Sequence, residues 1–163
     1  MIADNEQIDA AMELALEKPG LVIPFTEYAA LKPDDSHGVR MHRRRVTQCV
    51  PERVMRGGTS IGAINVVSRK TMDMVGQFDP KFEGNWYDDD AMKIAFEICC
   101  DMPTRYISGQ AHHLYHLPGH KGEHLTPEDI SATAANKRRL GHYRFAAKTK
   151  NVARIRQLTA GGS

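Results

Sequence analysis

Asp88, Asp89 and Asp90 stand in a row, directly after the aromatic pair Trp86-Tyr87 and directly before the most periodic apolar stretch of the chain. One aspartate is enough to cap a helix. Three consecutive carboxylates repel one another, which raises their pKa values, while the positive end of a helix lowers them. A carboxylate poised between these influences can take a proton from a hydroxyl, or hold a cation or sugar hydroxyls. Trp86, the only tryptophan, has a flat apolar face suited either to stacking on a sugar ring or to a core. On the triplet alone, capping and chemistry both stay open.

A second group is His112-His113-Leu114-Tyr115-His116, with His120 and His124 beyond it, which gathers five of the eight histidines. Metal ligation is one reading and a polar loop with packed histidines is the other. In an extended segment His112 and His116 share one face and His113 shares the other with Tyr115, so only part of the cluster can address one ion. The third group, Arg56-Gly57-Gly58-Thr59-Ser60-Ile61-Gly62, lets backbone N–H groups approach a phosphate or a sugar. It matches neither the Walker pattern nor the dinucleotide fingerprint.

The elements that must carry these residues follow from apolar spacing and stop signals. Ile8, Ala11, Met12 and Ala15 lie on one helical face, Pro19-Gly20 ends that helix, and Leu21-Val22-Ile23 reads as a buried strand. Lys32 to Arg45 shows neither period and reads as a long surface loop. Ala63 to Val67 reads as a strand fed by the glycine segment, Met72 to Val75 as a short helix broken at Gly76. Ala91, Ile94, Ala95, Ile98 and Cys99 mark a helix opened by the aspartates. Arg105 to Ile107 reads as a strand, and His112 to His124 as a loop. Thr126-Pro127-Glu128-Asp129 has a cap, a first-turn proline and first-turn acids, and opens a basic helical segment with an expected break near Gly141. Its spread charges read as a solvated face.

The whole is 163 residues, enough for one globular core. Hydrophobic residues are 41% and charged residues 26%, which excludes a disordered or fibrous chain. A net charge of +2 gives no field that would mark a nucleic-acid or membrane binder. Three cysteines fit no disulfide framework or Cys-x-x-Cys spacing. No apolar run reaches the roughly 18 residues of a membrane span, and the first ten residues lack a secretion signal. The expected location is the cytoplasm.

The order of these motifs resembles the second half of GT-A glycosyltransferases, over residues 55–120. The resemblance is nearest to family 2-like enzymes and the galactosyltransferase C-terminal domain. There a glycine-rich segment, a Gly-Gly-Phe-Asp phrase, a Gly-Trp-Gly phrase before a Glu-Asp pair, and a downstream histidine follow one another. Here they correspond to Gly57 to Gly62, to Val75-Gly76-Gln77-Phe78-Asp79-Pro80, to Gly84-Asn85-Trp86-Tyr87 before Asp88-Asp89, and to His113-Leu114-Tyr115-His116. The order Asn85-Trp86-Tyr87 departs from Trp-Gly.

The resemblance implies an α/β fold: a partial GT-A-like, Rossmann-related half-domain with a few strands flanked by helices. Residues 1–125 would be the acceptor and catalytic half, and 126–160 a basic helical extension packed on it. The implied activity is hexosyltransferase-like transfer from a nucleotide-sugar to an acceptor hydroxyl of a glycan or other molecule. Asp89 falls on the acid that serves as base in inverting members, with Asp88 beside it. Gly57, Gly58, Thr59, Trp86 and Tyr87 fall on sugar-binding positions. His113, or else His116, falls on the histidine that completes a Mn²⁺ or Mg²⁺ site. The Asp-x-Asp nucleotide motif that precedes the glycine loop in the family has no counterpart in the fewer than sixty residues before Gly57, so a separate nucleotide-binding half or a second copy is the expected partner. Two other classes are compatible with the residues: a metal-dependent nucleic-acid-binding protein or nuclease built on the histidine cluster, the aspartate triplet and the basic helix, and an inactive interaction domain.

Overall fold

Alternating helical and extended signals fold into a mixed α/β chain. The computed structural model describes residues 1–56, 63–84, 86–119 and 121–162. In chain order the elements are α1 (Asn5–Glu17), β1 (Val22–Ile23), β2 (Glu27–Ala30), α2 (Pro33–Arg40), a 3₁₀ turn (Val46–Gln48), β3 (Arg53–Arg56), α3 (Arg69–Val75), α4 (Asp88–Cys100), β4 (Arg105–Tyr106), β5 (Gln110–His113), α5 (Pro127–Lys148) and α6 (Val152–Thr159). They belong to two units, one made of Met1–Leu14, Val22–Val66 and Arg105–Leu117, the other of Ala15–Leu21, Val67–Thr104 and Pro118–Ser163. Among the described residues no helix is long and apolar enough to cross a membrane.

The first unit holds the sheets. β1 pairs with β4 in parallel, and β2 lies between antiparallel β3 and parallel β5. Partners on both parallel ladders are 83 positions apart, so they form one ribbon interrupted at Gly109. The carbonyl of Gly109 accepts from the N–H groups of both Thr26 and Glu27 at 2.9 Å, so two donors share one acceptor where the ladder breaks. Only glycine suits the place. Its φ is 147°, and a Cβ there would sit 2.3 Å from Nε2 of Gln7, which is buried and donates to the Pro24 carbonyl at 2.8 Å.

The second unit is helical. α4 packs against α3, α5 and α6, and its core includes Val75, Met92, Phe96, Leu140, Ile155 and Leu158. Ser68 caps α3 by accepting from the Thr71 N–H, and Gly76 ends it with a φ of 102°. Thr126 and Asp129 cap α5 reciprocally, as the sequence signals require.

Four sequence expectations need correction. Residues 33–40 are helical: Pro33 and the acids Asp34 and Asp35 occupy the first turn, the same signals that open α5, but one wholly buried side chain, Ser36, leaves no apolar period to read. Residues 63–67 make no strand beyond one bridge, Val66 with Val22, because a β-branched run becomes a strand only with a ladder to join. The break near Gly141 does not occur, and α5 runs on to Lys148. A lone glycine costs only about 1 kcal/mol there, less than the packing on either side supplies. β2, β3 and β5 were not foreseen, and β5 takes in His112 and His113 from the expected loop.

Candidate functional site

α4 begins without a side-chain cap. Its N-cap is Tyr87, in the left-handed region at φ 74°, and Trp86 before it is left-handed too, at φ 78°. Two bulky L-residues in succession there cost on the order of 1–3 kcal/mol each. Something must hold them, and Asn136 of α5, itself buried, does so. Its amide nitrogen donates to the carbonyls of Glu83 at 2.8 Å and Trp86 at 3.1 Å, and its Oδ1 accepts from the Glu83 N–H at 3.3 Å. The start of the same loop is anchored by Asp79, whose buried carboxylate accepts from Arg139 Nε at 2.7 Å, the Tyr143 hydroxyl at 2.8 Å and the Lys81 N–H at 3.0 Å. Arg139 also donates to the carbonyls of Leu158 and Gly162, and burial together with the Asp79 carboxylate keeps the Tyr143 hydroxyl far above its ordinary pKa.

This scaffold sets Asp88, Asp89 and Asp90 in the first turn of α4. The N-cap position is Tyr87, and the three carboxylates lie inside the first turn, where the helix dipole favours their charge. Burial first, and then repulsion from Asp88 and Asp90, push the pKa of Asp89 up to about 6. Trp86 is 45% exposed rather than a core residue, and its ring meets that of Tyr87 edge-on at 6.3 Å. An exposed indole can bind the face of a ring, and a carboxylate of high proton affinity can receive a proton from a hydroxyl. Gly57, Gly58 and Thr59 lie outside the described residues, as do Asn85 and His120.

His113 and His116 belong to the first unit and Asp89 to the second. β5 ends at His113, and α2 grips the chain just beyond it: Ser36 Oγ accepts from the Tyr115 N–H at 2.7 Å, and Arg40 donates to the Tyr115 carbonyl at 2.6 Å. The chain turns there, so His113 meets His116 rather than Tyr115, with Nε2 atoms 3.1 Å apart. His116 Nδ1 lies 2.8 Å from the Leu117 carbonyl and donates to it, which leaves its Nε2 to accept from His113. His113 stacks on Tyr28 at 4.8 Å. Burial, aided by His116, the terminal ammonium and Arg40, lowers its pKa to about 4.

The pair supplies two imidazole nitrogens already bonded to each other. Mn²⁺ and Mg²⁺ take mainly oxygen donors, and among the described residues no group of three His, Cys, Asp or Glu is placed to hold an ion. These residues provide at most part of a donor set. Burial pushes Cys99 up to about 11, where it is inert as a nucleophile at neutral pH.

Sequence reasoning missed Asn136, Arg139, Tyr143 and Ser36. The signal available was the spacing of the first three, which share one helical face. Comparison of the chain with family models, with curated proteins and with solved structures returns no match.

Proposed function

We propose that the chain is the catalytic and acceptor-binding half of a GT-A-like glycosyltransferase, moving a sugar from a nucleotide-sugar to an acceptor hydroxyl in the cytoplasm. The observation that carries the reading is the placement of Asp89 in the first turn of α4, where burial pushes its carboxyl up to about 6, directly after a loop that holds Trp86, its indole exposed, and Tyr87 against their backbone preference. At neutral pH such a group is mostly ionised yet keeps high proton affinity, as a general base requires. Asp89 takes the acceptor proton while the acceptor oxygen bonds to the anomeric carbon. The bond from that carbon to the donor diphosphate breaks, and its electron pair leaves with the diphosphate.

In this reading Trp86 and Tyr87 receive the acceptor, Asp88 raises the basicity of Asp89, and Gly57, Gly58 and Thr59 line the sugars. The nucleotide-binding half comes from another polypeptide or a second copy. Mn²⁺ or Mg²⁺ is the cofactor of the complete enzyme, and His113 and His116 are the side chains this chain offers toward it.

The test is a transfer assay with a panel of nucleotide-sugars, glycan acceptors and Mn²⁺, with and without the product of the adjoining reading frame. Asp89→Asn is expected to lower transfer by about 10²–10⁴-fold, the usual contribution of a general base, with the fold intact by circular dichroism. Transfer undiminished by Asp89→Asn refutes the assignment, and no turnover of any donor in either arrangement refutes the reading as a whole.

A further inference from the structure

The run His42-Arg43-Arg44-Arg45 follows the end of α2, where His42 turns the chain in the left-handed region at φ 54°. With Ile2 and Val39 these residues line a cleft of about 600 Å³ within the first unit, a size usual for small-molecule sites. Their charges are unequally committed. Arg44 is paired with Asp35, and Arg40 nearby donates to the Tyr115 carbonyl. Arg43 and Arg45 have no carboxylate partner among the described residues. Arg43 and Arg45 are exposed, and with His42 they place their positive charge on one wall of the hollow, where it attracts an anion that enters. Each guanidinium is a planar fork matched to two oxygens of one phosphoryl group. Two forks therefore suit two linked phosphoryl groups, and the apolar wall of Ile2 and Val39 suits an organic substituent.

We propose that this cleft is a binding site for an organic diphosphate, with Arg43 and Arg45 as its anion-binding residues. The inference stands on the cleft and not on the sugar-transfer reading: binding in metal-free buffer is indifferent to any role of Asp89, so the two fail separately.

The test uses the whole chain, with a chelator present, titrated with inorganic pyrophosphate, uridine diphosphate and orthophosphate, and followed by calorimetry and amide NMR. Pyrophosphate and uridine diphosphate are expected to bind at least about tenfold more tightly than orthophosphate, with amide shifts concentrated at residues 39–48. Arg43→Gln with Arg45→Gln should weaken pyrophosphate about tenfold or more. Lys137→Gln with Arg138→Gln, an equal loss of charge on exposed positions of α5, should change it less than about twofold. Tighter binding of uridine diphosphate than of pyrophosphate supports a role for the apolar wall. Equal losses in the two double variants, shifts scattered over the chain, or an oligonucleotide that binds more tightly than either diphosphate would overturn the proposal. Should the arginine variant fail to fold, the shift map of the unsubstituted protein decides.

Discussion

Asp89→Asn should stabilise the protein at about pH 8 and leave it unchanged near pH 4, because the folded structure holds this carboxyl at about 6 against an ordinary 3.8. With the folded pKa raised, the folded state binds more protons than the unfolded one between these values. The stability Asp89 contributes is therefore fully present below the unfolded pKa and lost as pH rises through the folded one. A shift of about two units is worth roughly 3 kcal/mol for a fully buried group. Asp89 is only partly covered, and the end of α4 favours its charge, so solvent screening and the helix dipole reduce this to about 1–1.5 kcal/mol. That corresponds to a rise of about 3–5 °C in Tm at pH 8 for a chain of this size. The assay is urea unfolding of both proteins at half-unit steps from pH 4 to 8. The difference between the curves is the quantity to read, since His113, lowered to about 4, bends the unsubstituted curve the opposite way over the same window. A difference that is flat with pH, or that favours aspartate at high pH, would refute the placement of Asp89 and remove the support for its role as a base.

Asn136→Ala should destabilise the protein by about 2–3 kcal/mol by leaving loop groups without their buried amide, and should shift the emission of Trp86, the only tryptophan; Asn136→Asp, which cannot donate to the two carbonyls, should not rescue it. Gly109→Ala should cost about 2–4 kcal/mol in urea unfolding, from a positive φ and the approach to Gln7 together. Asp79→Asn should cost about 3 kcal/mol by stranding the Arg139 charge, and combining it with Arg139→Met should cost less than the two changes summed in a double-mutant cycle. The ring of His113, followed by NMR, should titrate near 4 rather than 6.5, and stability should fall as pH drops from the unfolded value of 6.5 toward 4, where the unfolded state protonates first.

The helices with apolar periods or strong stop signals were legible in the sequence: α1 before Pro19-Gly20, α4 behind the aspartates, and α5 from its Thr126 cap. The placement of the acids at a helix start was legible for the same reason. α2 was hidden because the residue it buries completely is a serine, and binary patterning reads only apolar faces. β2 and β5 are four residues each and take their identity from pairing 83 positions apart, a relation no local window contains. The meeting of His113 with His116 depended on α2 turning the chain at Tyr115, so missing the helix meant missing the pair.

The least legible feature is also the one the candidate site depends on. α5 carries basic residues on every side, and its apolar residues are too sparse to define a stripe, which is why it reads as a solvated helix. Its inward face mixes Leu140 and Ala146 with polar groups, and Asn136, Arg139 and Tyr143 lie three and four residues apart on it. All three bond to the loop between α3 and α4, Arg139 and Tyr143 to Asp79 and Asn136 to Glu83 and Trp86. A hydrophobic contact would bury that loop without fixing its dihedral angles. Directional bonds to two carbonyls and a carboxylate fix where it begins and how it enters α4, and so hold Trp86 and Tyr87 in a conformation their side chains disfavour. The basic helix thus acts as the clamp that presents Asp89.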